Sequence, residues 1–374
     1  MQVFATYRVS LRYISSRWTS YSDRWWSFSV VAKEFAEDGW QEGVMPKTKK
    51  DHLQKDAGGR FPHGVWMRAI WMIGAAMLLL AVFTRTTQAA ETLAVPEHPA
   101  FVVKSVGSGQ AVILIPGLSS SASTWDGTVD HLKGRFHCIT INLAGFAGVA
   151  PVPGVTLAMV RDQLAAYIQS AHLDRPILIG HSLGGSIALD LAARNPTLVG
   201  PVVIVDSLPF MAQAWFGVDS LDAAQPTLVQ MGAGMRAMSG DQWKAYVQSG
   251  ATTRTLATAP ADQQKLVDWG LSSDQKAVTD TMMEMLDEDL RAELKNIQTP
   301  VLVIGTWAGL EAQGVTRASV TKLFEEQYAG VKNLDLVIAE KERHFVMWDN
   351  PKWFDATVDG FLNKTAATDK GTGE

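Results

Sequence analysis

The chain has 374 residues, room for two domains of about 150 residues or for one large α/β domain with an elaboration. Hydrophobic residues at 47% against 19% charged exclude a disordered chain, and the single cysteine, Cys138, excludes an intrachain disulfide and a cysteine-based zinc site. Residues 1–89 carry 12 Lys and Arg against 7 Asp and Glu, which leaves 21 against 31 from Ala90 onward; that stretch lacks the basic clusters a phosphate-binding surface needs.

The first 66 residues scatter Trp, Arg and Ser with neither alternation nor a helical stripe, so they define no element. Ala69 to Thr84 is a run of 16 residues without charge. A spanning helix needs about 20, so the run suits the apolar core of a secretory signal. Met67-Arg68 supplies a start and a positive flank, and Thr87-Gln88-Ala89 a loose small-x-small cleavage pattern. Residues 67–89 are therefore expected to be a signal peptide, with a mature chain from about Ala90 that is periplasmic or secreted. Two alternatives stay open: a genuine tail ahead of a signal anchor, which would touch the membrane through residues 67–89, and a buried helix of a cytosolic protein.

From Phe101 short apolar runs alternate with helix-length segments, the pattern of an α/β sheet. Expected strands are Ala111 to Ile115, His137 to Ile141, Pro176 to Ile179, Pro201 to Val205, Pro300 to Ile304 and Leu334 to Ile338. They are rich in β-branched residues and apolar throughout, as strands covered on both faces should be. Val160, Leu164, Tyr167 and Ile168 have helical spacing. Leu208 to Thr299 make 92 residues between two strands, where a crossover needs about a dozen or slightly more. The excess predicts a helical cap over residues 208–299, inserted into a core of residues 90–207 and 300–374. The cap holds 7 of the 14 Met, among them Met231, Met235, Met238, Met282, Met283 and Met285, with Trp215, Trp243 and Trp269. They read either as an adaptable apolar pocket lining or as the ordinary core of a helical lid. The polar residues Lys364 to Glu374 read as a frayed end.

The strand at Ile179 runs into Gly180-His181-Ser182-Leu183-Gly184, followed by the helical segment Ser186 to Ala193. This is G-x-S-x-G in its strand, turn, helix context. The turn strains the serine backbone and lifts its hydroxyl above the sheet, the glycines allow strand and helix to approach closely, and the helix start offers N–H groups to a developing oxyanion.

On these motifs the sequence resembles the α/β-hydrolase superfamily over roughly Phe101 to Leu362, which implies the α/β-hydrolase fold: a mostly parallel sheet flanked by helices, with the cap inserted after the strand ending at Val205. Ile115-Pro116-Gly117-Leu118-Ser119, with Trp125 beyond, is similar to the oxyanion loop that follows the family's third strand. Pro116 stands where His-Gly is usual, which leaves the donating amide in place. By that similarity the backbone N–H groups of Leu118 and Leu183 form the oxyanion hole. Asn142 to Gly148 resembles a structural Asp-x-x-Gly-x-Gly loop of the family, with Asn in the first place. Arg343-His344-Phe345, after the last strand, resembles the segment of the catalytic histidine, so Ser182 is expected as nucleophile and His344 as general base. Most relatives place the acid after the strand ending at Ile304, where this chain has Ala308. Some place it one strand earlier, where this chain has Asp206; Glu311 is the reserve candidate.

The expected function is a serine hydrolase acting on a small-molecule ester with an apolar acyl group. A carbon–carbon bond hydrolase and a cofactor-free haloperoxidase-like enzyme keep a similar triad. A noncatalytic ligand-binding protein on the same scaffold and a membrane-anchored protein using the basic N-terminal tail are the readings from other classes. No nucleotide, metal or flavin motif occurs in the sequence, so no cofactor is expected.

Overall fold

Seven strands form one sheet in the computed structural model, which describes residues 98–371: β1 (Phe101–Val106), β2 (Ala111–Ile115), β3 (His137–Leu143), β4 (Ile177–His181), β5 (Val202–Val205), β6 (Val301–Gly305) and β7 (Leu334–Ile338). Their order is β1-β3-β2-β4-β5-β6-β7, all parallel except β1, which runs antiparallel to β3. The predicted strands are all present. The tail, the apolar run at 69–84 and the expected start near Ala90 lie outside the described residues. Among the described residues no helix is long and apolar enough to cross a membrane.

Burial follows position in the sheet. The inner strands β2, β4, β5 and β6 are buried along their whole length, whereas edge strand β7 is only half-buried over most of its residues. Because side chains alternate between faces, each inner strand feeds two separate clusters. Ile113, Ile115, Leu178, Val202, Ile204, Val301 and Val303 belong to one; Val112, Leu114, Ile177, Ile179, Val203, Val205, Leu302 and Ile304 belong to the other. Strand β1 was not among the predicted strands. It pairs on one side only and exposes Val102 and Val106, so its pattern Phe-Val-Val-Lys-Ser-Val lacks the uniform apolarity of a buried strand.

The helices of the core are α1 (Asp126–Leu132), α2 (Leu157–Ser170) and α3 (Leu183–Arg194). Helix α2 buries Val160, Leu164, Tyr167 and Ile168, the four positions its spacing predicts. The stretch 208–299 holds six more: α4 (Met211–Phe216), α5 (Leu221–Ala237), α6 (Gly240–Gln248), α7 (Thr253–Leu256), α8 (Pro260–Ser272) and α9 (Gln275–Leu286). Met282 and Met285 are buried within the larger cluster, and Met231, Met235, Met238 and Met283 are half-buried against it. Two of these methionines are thus core residues and four pack at its margin. After α10 (Arg317–Gln327) and α11 (Val346–Asp349), the final helix α12 runs from Pro351 to Gly371. The frayed end expected from Lys364 is corrected: the helix continues, Thr365 is buried, and Lys364 Nζ reaches both carboxylate oxygens of Asp335 on β7 at 2.8 Å.

Helix α3 lies beneath the sheet with Asp190 buried, satisfied by Arg161 and Arg194. Near this group stands Glu288, just beyond α9. Burial pushes its carboxyl up to about 7, the neighbouring Asp190 adds to the rise, and Arg194 and Arg161 oppose it. Between the ordinary carboxylate range and that value, the folded state holds a proton that the unfolded state has lost, so stability falls as pH rises through this window. Glu288→Gln is therefore expected to stabilise the protein by about 1–3 kcal/mol above pH 7 and to have little effect near pH 4. Denaturant titrations at the two pH values check this, and an equal effect at both would be the contrary result.

Candidate active site

The chain places its chemistry at the carboxyl ends of the parallel strands, where α/β sheets bind ligands. Strand β4 ends at His181 and α3 begins at Leu183, so Ser182 alone makes the turn, with φ 53° and ψ −120°. That conformation costs a non-glycine residue about 1–3 kcal/mol. It is held by Ser182 N–H donating to Val205 O at 2.8 Å and by the close fit of the flanking glycines. A Cβ on Gly180 would stand 2.2 Å from Gly184 O, and one on Gly184 2.2 Å from Ile115 O. Both contacts are with backbone, which cannot swing aside. Gly184→Ala is expected to lower stability by at least about 2 kcal/mol, read from the denaturation midpoint.

Leu118 and Leu183 lie on the two sides of this turn. Leu183 opens α3, so its N–H has no intrahelical acceptor, and neither it nor the Leu118 N–H donates to another group among the described residues. Ser119 next to Leu118 has φ 56° and donates its hydroxyl to Ser273 Oγ at 2.8 Å. The Asn142 side chain accepts from Ala122 N–H and so ties the β3 end to the turn leading into Trp125. This supports a structural role for that loop.

His344 follows β7, and its Nδ1 lies 2.6 Å from Asp206 Oδ2. Both side chains are largely shielded, 20% and 14% exposed. Asp206 sits one residue past β5 with φ 47°, a region that Asp enters more readily than most residues. Thr306, one residue past β6, donates its N–H to Asp206 Oδ1 and its hydroxyl to Oδ2, both at 2.7 Å. The carboxylate thus accepts three hydrogen bonds, and only a ring that donates from Nδ1 completes the set. Glu311 is exposed on the short turn Ala308–Gln313 and makes no bond to His344. Thr306 was not among the predicted site residues; what marks it is a residue with two donors just past β6, diagonal to Asp206 at the end of the neighbouring strand β5.

The Ser182 hydroxyl makes no hydrogen bond to His344. His181, next to Ser182 in the chain and fully buried, does contact His344: its Nε2 lies 3.0 Å from His344 O and its ring centroid 4.4 Å from that of His344.

The insertion holds both sides of this site. Phe345 N–H donates to Leu256 O at 3.0 Å, and Arg343 Nη1 reaches the carbonyls of Arg254 and Ala257. Asp349 accepts from Thr258 N, Thr258 Oγ1 and Arg343 N at 2.9, 2.8 and 2.8 Å. At the other end of α8, Ser273 Oγ accepts from Ser119 and from Ala147 N. Helix α8 therefore spans from the loop of His344 to the loop of Leu118, with Trp269 against Trp348 at a centroid distance of 5.6 Å. Among the described residues no group of His, Cys, Asp and Glu is arranged to hold a metal ion. A hydroxyl on a strained bend, free amides beside it and an imidazole oriented by a carboxylate can together support general-base attack on a carbonyl.

The sequence profile of the alpha/beta hydrolase family matches residues 112–357. A pimeloyl-[acyl-carrier protein] methyl ester esterase of Aeromonas hydrophila subsp. hydrophila is 27% identical over 272 residues, 70% of this chain and 98% of the relative. RutD of Yersinia enterocolitica is 36% identical over 107 residues, 28% of this chain, and is spanned over 38% of its own length. Among solved structures, a thermophilic esterase from Thermogutta terrifontis superposes with a TM-score of 0.59 at 18% identity, covering 71% of this chain and 93% of that one, a likeness of fold.

Proposed function

The chain belongs to the alpha/beta hydrolase family, and from that membership we propose that it is a serine hydrolase that cleaves esters of apolar acids through an acyl-enzyme. Ser182 is the nucleophile, His344 the general base and acid, and Asp206 the carboxylate that orients the imidazole. The observation that carries this reading is the 2.6 Å contact between His344 Nδ1 and Asp206, which follow β7 and β5, at the same end of the sheet as the strained Ser182 after β4. With its Nδ1 proton directed at Asp206, His344 exposes an unprotonated Nε2, the nitrogen that accepts the serine proton. Hydrogen bonds of this kind are often long until substrate draws the groups together, which accommodates the unpaired Ser182 hydroxyl.

Attack by Ser182 Oγ on the ester carbonyl gives a tetrahedral intermediate whose oxyanion is met by the Leu118 and Leu183 amides. His344 returns the proton to the departing alcohol, and water then repeats the sequence to release the acid. The apolar acyl group rests on the aromatic pair beside the base, where Trp269 packs on Trp348, four residues after His344.

A fluorophosphonate probe is expected to label the native protein at Ser182, and a series of chromogenic esters of rising chain length is expected to show rates that increase beyond acetate. Folded protein that resists the probe would sink the nucleophilic mechanism and favour the noncatalytic reading. Labelling combined with the highest rate on acetate would leave the mechanism standing and remove the apolar substrate.

A further inference from the structure

We propose that His181 is a positioning residue for His344, acting through a single hydrogen bond from its Nε2 to the main-chain carbonyl of His344. This rests on the serine-hydrolase reading, since it assigns the residue that aims the base of that reaction.

The geometry leaves one assignment of protons. The His344 carbonyl can only accept, so the 3.0 Å contact requires the proton on His181 Nε2, and Nδ1 is then a bare acceptor. That nitrogen is buried and has no partner. The ring is fully enclosed, with Trp125 edge-on at 6.4 Å and Phe345 at 4.4 Å. An apolar side chain of the same volume would fill this space without stranding a nitrogen. What the imidazole adds is one directed bond, made to the residue whose own ring must meet Asp206 on one side and Ser182 on the other.

The location explains why that bond matters. His344 lies on a loop after β7, and its neighbours Arg343 and Phe345 are fixed to the insertion at Arg254, Leu256 and Ala257. Those bonds hold the loop from the insertion side. His181 is the last residue of β4 and holds the same loop from the sheet side, one residue from the nucleophile. A shift of the insertion thus meets a fixed point set by the strand that carries Ser182. The ring must also remain uncharged, because a cation 4.4 Å from His344 would oppose its protonation during turnover. Burial first, and the adjoining His344 second, hold His181 well below the usual imidazole range.

The opposite face of the ring meets the loop that carries Leu118. A Cβ on Gly117 would stand 3.1 Å from His181 Nδ1 and 3.2 Å from Ser182 Cβ, so that glycine leaves room for the ring.

The test compares His181→Phe, His181→Gln and His181→Asn in the full chain with a chromogenic ester and the fluorophosphonate probe. Phe keeps the ring without the donor, Gln can place an amide N–H near the position of Nε2, and Asn is too short. We expect kcat to fall about 100-fold in His181→Phe with KM nearly unchanged, a loss of the size that an ångström-scale misplacement produces. His181→Gln should recover most of that loss and His181→Asn should not, with all folded variants keeping the pH dependence of kcat/KM. Equal rates in the Gln and Asn variants would overturn the proposal even if the Phe variant failed to fold, as would a folded Phe variant with native kcat. Native protein that the probe does not label would overturn the underlying hydrolase reading instead, whatever the variants do.

Discussion

Ser182→Ala is expected to lower kcat for ester hydrolysis by about a million-fold, to the residual rate supplied by binding and the oxyanion amides. The substitution removes the only oxygen that the Ser182 turn lifts above the sheet and leaves the turn itself in place. Stability is expected to change by no more than about 0.5 kcal/mol, because among the described residues the only hydrogen bonds of residue 182 are those of its backbone. The backbone bond from residue 182 to Val205 O and the helix start at Leu183 do not depend on it. Steady-state kinetics together with a thermal melt read both quantities. A folded variant that keeps more than a small fraction of native kcat would mean that another group attacks the substrate.

Asp206→Asn is expected to lower kcat by about 10,000-fold with the fold preserved. The Thr306 N–H needs an acceptor, so the carboxamide oxygen is retained in the place of Oδ1 and the amide nitrogen falls where Oδ2 met His344. A donor at that point makes His344 Nδ1 the acceptor and drives the ring proton to Nε2, where it blocks uptake of the serine proton. Burying an imidazole in the wrong tautomer changes packing little, so the loss should appear in kcat and not in the denaturation midpoint. Glu311→Gln serves as the control and is expected to leave kcat near native, since Glu311 is exposed and remote from the imidazole's bonds. If the control loses activity and Asp206→Asn does not, the orienting carboxylate has been assigned to the wrong residue.

The acid shows where sequence reading reached its limit. Asp206 and Glu311 both follow strands whose apolar runs are plain in the sequence; Asp206, directly at its strand end, is the expected acid and Glu311 the reserve, but residue order does not show which of them faces His344. The parallel register of β5 and β6, Val205 opposite Ile304, brings the residues just past each strand together. Thr306 can then hold Asp206 with two donors while the turn that follows carries Glu311 outward. His181 was hidden for a related reason. Its partner is a carbonyl 163 residues later, and a main-chain acceptor leaves no trace in residue type.

The sequence by itself determined the inner strands, α2, the glycine turn at Ser182 and the place of His344, because each follows from short-range rules: uniform apolarity where both faces are covered, helical spacing where one is, and missing side chains where backbones touch. Only the tertiary structure decided the edge strand β1, the contact of Asp206 with the His344 ring, the anchoring of residues 208–299 on both sides of the site and the contact of His181 with the His344 carbonyl. These depend on which distant segments end side by side, and that is set by strand order and register across the whole sheet.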